Sequence, residues 1–450
     1  MAYQEIVTVQ ISLDVAGVSR ASFGIPIFVA DHVWFKELTR SYTSFENAQV
    51  DFPTDSDVYA ALQAAFSQDI DPTIVKVGRR EVDDITFTPV AATTAGQIYT
   101  VEVLDTADVT TTATFTTTTG SETATTIATA LVTALGSPTG VTVVDNTGSL
   151  TLSKTGTVAY AVTDVARLTY VTTTTQTAAD MMVAITEADD DFYFVACNDH
   201  TQAFVLALAT DIEARTKQYW LTVQEQDNLG VYSEVAADTL SKLKQGAYFR
   251  TSGWFHDEAD TKFHEMEYIS ILAPSDPGKK IVANNRTSSS AAKNPLTGYL
   301  LTTTQKGNLT DKNASFTEVV GGLTITRRGN VAGGATFFVD LIRNRDFLEA
   351  RITENYQNFL INTPVVPYTD SGIGRVQNVL ESTLDRYVET ETQPNILQME
   401  QPYVISFPRR ADVSFGDVAA QDFSGSFVAY LSGAMQTIRI TGSLTYQAQS

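Results

Sequence analysis

What this sequence lacks narrows its options before any motif is sought. It has one cysteine, Cys197, so no disulfide can form within the chain. That thiol stands in the apolar run DFYFVAC, where burial raises a thiol's pKa and makes it structural rather than nucleophilic. Basic residues are scarce, 30 against 52 acidic ones, and the formal net charge is −22. A surface of that sign repels phosphates and anionic lipids, which argues against nucleic-acid binding and membrane attachment. No apolar run approaches the ~18 residues of a membrane span. The opening MAYQEIVTVQISLDV has no cationic, apolar leader pattern. The expectation is a protein made in a reducing cytoplasm, or in a particle assembled there. The motifs G-x-S-x-G, G-x-x-x-x-G-K-[ST] and H-E-x-x-H are all missing. Gly372-Ile-Gly374 lacks the third glycine and the leading strand of a dinucleotide loop, and reads as a helix start.

What is present is ordinary folding material. The 450 residues are 43% hydrophobic and 18% charged, enough for two or three domains with a large core. Ile6, Val7, Val9, Ile11, Leu13 and Val15 mostly alternate with polar residues, the pattern of a half-buried strand. FGIPIFVA (23–30) predicts a core strand, and Thr54 with Asp57 a capped helix bearing Val58, Leu62 and Phe66. TIVKVGR (73–79) predicts the next strand. From residue 85 to 176 the chain turns Thr-, Ala- and Val-rich yet stays patterned. IYTVEVL (98–104) and TTATFT (111–116) read as strands, and Ser121 as the cap of a helix carrying Ile127, Leu131 and Leu135. VTVV (141–144) and SLTLS (149–153) form a hairpin, with TVAYAVT (157–163) as the last strand.

Alternation of helix and strand then resumes. A helix over 178–187 leads to strand 191–197, a helix over 201–215 and strand QYWLTV (218–223). A helix capped at Ser233 and closed at Gly246 precedes strand YFRTSGWF (248–255). The polar stretch from Pro274 to Gly322 reads as a long surface connection. The fold class expected is α/β, mixed with α+β character: a mixed sheet flanked by helices, with a small inserted β-rich domain and terminal β-strand arms.

The most informative stretch runs from Gly333 to Glu389. An apolar β-like run, Ala335 to Leu341, meets a charged bend, Arg343-Asn344-Arg345-Asp346. A helix capped by Asp346 and Glu349 follows, with Phe347, Leu348, Ile352, Tyr356, Phe359 and Leu360 on one face. Pro364 and Pro367 hold an extended link. The second helix, capped at Asp370 or Ser371, carries Ile373, Val376, Leu380, Leu384 and Tyr387. Toward the end, YVISF (403–407), DFSGSFVAYL (422–431) and QTIRITGSLTY (436–446) are apolar runs punctuated by turns.

The order of β-run, RxxDFLEA helix, PYTDxGI link and second helix resembles the core of bacteriophage contractile tail sheath proteins. GAMQTIRITG is similar to that family's closing strand. The resemblance implies a structural subunit that polymerises as stacked rings, six-fold, around a tail tube and contracts to drive the tube through a host envelope. Its partners would be copies of itself, the tail tube, baseplate and tail terminator proteins, in a virion assembled in the host cytoplasm. It implies a discontinuous sheath core (21–84 and 177–433), an outward-facing inserted domain (85–176), and β-arms at 1–20 and 434–450. The arms would link subunits through Ile6, Val7, Val9, Ile11, Leu13, Ile438, Ile440 and Leu444. Asp340, Arg343, Asp346, Pro367, Tyr368, Thr369, Asp370 and Gly372 form the core motif, and Arg375 and Arg386 are candidates to face the tube. The link departs from the family where Val365-Val366 replaces the usual lysine-bearing approach. No enzyme, catalytic residue, cofactor or metal is expected. The alternatives are a tail-tube or adhesin-like virion component, or an α/β enzyme with polar groups converging at the strand ends.

Two weaker signals remain. His256, Asp257, Glu258, Asp260, His264 and Glu265 are the one ligand-type cluster, and a helix from His256 would stack the two imidazoles. The preferred reading has His256 end a strand and the acids open a helix. Arg327-Arg328 and Arg409-Arg410 read as salt bridges within the chain or as contacts to acidic neighbouring subunits.

Overall fold

The computed structural model describes residues 22–434, apart from 69 and 278–281. The arm residues Ile6, Val7, Val9, Ile11, Leu13, Ile438, Ile440 and Leu444 lie outside the described residues. The chain divides into two compact units, whose described parts are 22–344 with Ala434, and 345–433.

The first unit is built on an eight-stranded mixed sheet. Its strands are β1 (Pro26–Asp31), β2 (Thr39–Tyr42), β3 (Val75–Arg80), β11 (Phe194–Cys197), β12 (Gln218–Val223), β13 (Thr251–Phe255), β14 (Ser315–Val320) and β15 (Leu323–Arg327). They lie in the order β15-β14-β13-β12-β11-β1-β3-β2, with β14-β13-β12-β11-β1-β3 all parallel. Every residue of β12 and β13 is buried, as parallel strands covered on both faces require. On one face Ile27, Val195, Tyr219 and Leu221 pack with Met182 and Ile185 of helix Ala178–Ala188 and with Val205 and Leu208 of helix Gln202–Glu213. The other face carries an aromatic row. Phe194 meets Trp220 edge-on at 6.0 Å, Trp220 stacks on Trp254 at 5.7 Å, and Tyr268 of helix His264–Leu272 covers Trp254 at 4.3 Å. Such ring pairs each add about 0.5–1.5 kcal/mol beyond their area.

Between β3 and β11 the chain makes seven further strands: β4 (Asp84–Pro89), β5 (Ile98–Leu104), β6 (Thr110–Thr116), β7 (Val141–Asp145), β8 (Leu150–Lys154), β9 (Ala161–Ala166) and β10 (Leu168–Thr173). They form two sheets, β10-β4-β8-β7 and β6-β5-β9. Helix Ala124–Leu135 buries Ile127, Leu131 and Leu135, and its cap is Thr123 rather than Ser121. TVAYAVT is therefore not the last strand of this stretch, and β4 and β10 are additions to the expected set.

Other corrections have local causes. Ser56, not Thr54, caps helix Asp57–Ala65, and Asp238, not Ser233, caps helix Thr239–Gln245. The polar stretch 274–322 is no plain connection, since it holds helix Thr303–Asp311 and core strand β14. Ala335 to Leu341 is not a strand, because a single helix, Val339–Asn362, starts within it. Arg343 to Asp346 is therefore helical rather than a bend, and Asp346 lies inside the helix rather than at its start. Thr369 caps helix Asp370–Leu384, its hydroxyl accepting from Gly372 N at 3.2 Å. The second unit takes its core from Phe347, Leu348, Ile373, Leu380, Leu384, Ile396 and Leu397, whereas Leu360 stays exposed. It ends in β16 (Tyr403–Ser406) and β17 (Ser426–Ala429).

Candidate functional site

β16 and β17 pair antiparallel, Tyr403 opposite Ala429 and Ser406 opposite Ser426. Among the described residues these two strands are a sheet by themselves, so each has an outer edge without a strand beside it. Val404, Phe427, Val428, Tyr430 and Leu431 are exposed along it. A two-stranded sheet is marginal alone, and this one is pinned at one end. Gln398 N donates to Tyr430 O (3.0 Å), Ser432 N donates to Ile396 O (2.8 Å), and the Tyr403 hydroxyl donates to Asp385 (2.5 Å).

The PYTD segment holds the long connection between these strands. The Tyr368 hydroxyl donates to Asp422 O (2.6 Å), while its ring meets Phe423 at 6.3 Å and the Arg410 guanidinium at 5.7 Å. Asp370 accepts from Arg410 N at 2.6 Å. A Cβ on Gly372 would stand 1.9 Å from Pro367 O, so only glycine lets the link fold onto the helix start. Four motif residues thus serve the hairpin, a role the sequence did not suggest. Asp340, Arg343 and Asp346 are buried, and Asp346 pairs with Arg345 at 2.9 Å. Arg375 and Arg386 are exposed, with the Arg375 guanidinium 5.4 Å from the Phe359 ring. Of the basic pairs, Arg327 is bound within the chain to Glu318 at 2.9 Å.

A second polar set gathers in the first unit, where strand order reverses at β1. The carboxyl ends of β1 and β11 flank the kind of crevice in which doubly wound sheets bind ligands. Asn198 donates to Asp31 (2.5 Å) and Asp57 (2.9 Å), and the Thr172 hydroxyl also donates to Asp31. His200 lies between Asp260 (2.8 Å) and Glu265 (3.1 Å), with Gln224 donating to Asp260 (2.6 Å). These eight residues come from six separate stretches of the sequence, so no local pattern announces them. Burial alone would lower the His200 pKa, but Glu265 and Asp260 raise it to about 10. It is a cation between carboxylates, its side chain only 3% exposed. The neighbouring Cys197 thiol is pushed up to about 12 by burial and is no nucleophile at neutral pH. The set spends its polarity on itself and ties four loops together.

The histidine cluster follows the preferred reading at His256, which ends a strand, and adds a turn at Phe263. His256 follows β13 directly, a one-turn helix spans Ala259–Lys262, and Phe263 turns back with φ +47° before His264 opens the next helix. The two rings stand 3.8 Å apart.

No family model and no curated protein matches the sequence. Solved structures do. The chain aligns over 98% of its length, and 99% of the other, with the anti-feeding prophage helical sheath in its contracted state, at TM-score 0.51 and 10% identity. It aligns likewise with the sheath complex of an extracellular contractile injection system, PVC, over 99% and 98% of the two chains (TM-score 0.52, 8%). A chain of the anti-feeding prophage baseplate gives 0.55 at 10% identity, covering 99% of each. The fold is that of contractile sheath proteins. The sheath likeness spans the open hairpin, the eight-stranded sheet and the Thr-rich strands alike, and among the described residues no helix is long and apolar enough to cross a membrane.

Proposed function

We propose that this chain is the subunit of a contractile sheath, polymerising in helically stacked rings around an inner tube and shortening to drive the tube through an envelope. The observation that carries the reading is the β16–β17 hairpin, which among the described residues has no strand beside either outer edge, within an end-to-end sheath fold. Strand edges recruit further strands, each main-chain hydrogen bond contributing roughly 0.5–1.5 kcal/mol net. Residues 1–20 and 434–450 of neighbouring subunits are the strands we assign to those edges. Copies of the chain, a tail tube protein, a baseplate and a tail terminator are the partners, with six subunits per ring. Asp340, Arg343 and Asp346 then serve as internal anchors, and Arg375 and Arg386 as the groups facing the tube. The Thr-rich strands form an inserted domain on the outer surface.

The subunit turns over no substrate. Contraction draws on two packings of the same bodies, the shortened lattice burying more complementary surface. The particle is a phage tail or an extracellular injection device, the kind of particle named for the similar PVC sheath complex. Negative-stain microscopy of the purified protein tests the reading: hollow, striated cylinders are expected. Removing residues 1–17 or 434–450 should leave a folded protein without cylinders. Normal cylinders from either truncation overturn the role of the arms, and monodisperse monomers from the full chain overturn the sheath.

A further inference from the structure

The geometry points to a site for a divalent transition-metal ion of the zinc class, formed by His256, His264 and Glu258. One ligand atom from each lies within 4.8 Å of the others. Tetrahedral ligands at about 2.0–2.2 Å from an ion stand about 3.3 Å apart, so small side-chain rotations close the set. Two imidazoles and one carboxylate are the donors that zinc, cobalt and nickel prefer, whereas calcium and magnesium take oxygen.

The surroundings are those of a built site. The Nδ1 of His264 faces the buried carboxylate of Glu267 at 3.0 Å, and Glu267 accepts from Ser289 N and Ser289 Oγ, each at 2.7 Å. A carboxylate on the far nitrogen fixes the tautomer that leaves Nε2 free for a metal and makes the ring more basic. Nε2 of His256 (3.0 Å) and Nε2 of His264 (3.4 Å) both aim at Ser290 Oγ, so the two nitrogens converge on one point, which the hydroxyl holds and an ion would take from it. Both rings are buried, while the Glu258 side chain is 35% exposed and gives an ion its way in. The ion must displace Lys262, which pairs with Glu258 at 2.9 Å in a largely exposed contact of little strength.

Backbone strain supports the same assignment. A phenylalanine at positive φ is unfavourable, and Phe263 accepts it at the turn that carries His264 back onto His256. With the ion bound, the end of β13 and the start of helix His264–Leu272 share one staple. Nothing in this depends on sheath assembly.

Titrating the full-length, metal-stripped protein with Co2+ is the test, because tetrahedral cobalt absorbs in the visible. One saturable equivalent is expected, displaced by Zn2+, and Zn2+ alone should raise the melting temperature. E258Q, at a half-exposed position that leaves the core intact, should weaken binding at least tenfold. E267Q touches no metal and should weaken it about 10- to 100-fold through His264. Absence of saturable one-to-one binding, or binding unchanged in both E258Q and H264N, overturns the site.

Discussion

Replacing Arg343 by alanine probes the anchor that the first unit places near residue 23. The guanidinium is 3% exposed and donates to the carbonyls of Phe23 (3.0 Å), Leu272 (2.9 Å), Ala273 (3.5 Å) and Ser275 (2.7 Å), and to the Ser275 hydroxyl (3.1 Å). Two of those carbonyls end helix His264–Leu272, where positive charge is favoured. Burial pushes the pKa of Arg343 down to about 10, so it remains charged at neutral pH. Alanine leaves four carbonyls without this donor, a ceiling of roughly 8 kcal/mol at about 2 kcal/mol each. Relief of the guanidinium's own desolvation, about 3 kcal/mol by the depressed pKa, offsets part of that. The expected loss is about 4–5 kcal/mol. Lysine offers three donors from a point charge and should lose about 2 kcal/mol. Urea unfolding followed by fluorescence of the buried Trp220 and Trp254 measures both, with Arg386→Ala as a surface control expected within about 0.5 kcal/mol. If Arg343→Ala lost under about 1 kcal/mol, or Arg343→Lys matched the parent, the anchoring argument would fail.

Gly372→Ala should destabilise the second unit by more than about 2 kcal/mol, whereas Gly374→Ala, with open space around it in the same helix, should stabilise by up to about 1 kcal/mol; equal melting shifts for the two would refute the close approach. The His200 pKa is raised above its ordinary 6.5, so its contribution is complete below pH 6.5 and is lost as pH rises through about 10. Denaturation midpoints of His200→Gln should therefore fall less between pH 6.5 and 10 than those of the parent; parallel curves would remove the buried cation. Lys312, whose ammonium is fully buried against Asp238 (2.9 Å) and Asn228 O (2.9 Å), should cost about 3–5 kcal/mol as methionine, read by the same unfolding curve. Reversing Arg409 and Arg410 to glutamate should block cylinder formation if they meet acidic neighbours; undisturbed cylinders would return them to surface roles.

Strands with a strong apolar pattern were legible from sequence: IYTVEVL and QYWLTV have the bounds of β5 and β12. What was hidden depended on distant partners. β14 reads as polar because Ser315 and Thr317 lie in it, yet both are fully buried and meet their needs elsewhere, from Gly329 N (2.9 Å) and Ala292 N (2.9 Å). The segment Arg343 to Asp346 looks like a solvated bend until residues 23 and 272–275 supply its acceptors. The crevice at β1 and β11 escaped for the same reason. At the histidine pair the strand ending at His256 is legible, but the left-handed turn at Phe263 that brings His264 back beside it has no signature in the sequence.

If the proposed sheath assembly holds, a ribbon of two strands with no strand beside either flank among the described residues makes each subunit a template for the next, so growth resembles crystallisation and should begin above a threshold concentration. On that reading, repulsion from the surplus of 22 negative charges raises the threshold. Salt that shortens the reach of repulsion to about 8 Å lowers it, and dilution into pure water keeps subunits apart until a nucleus is offered.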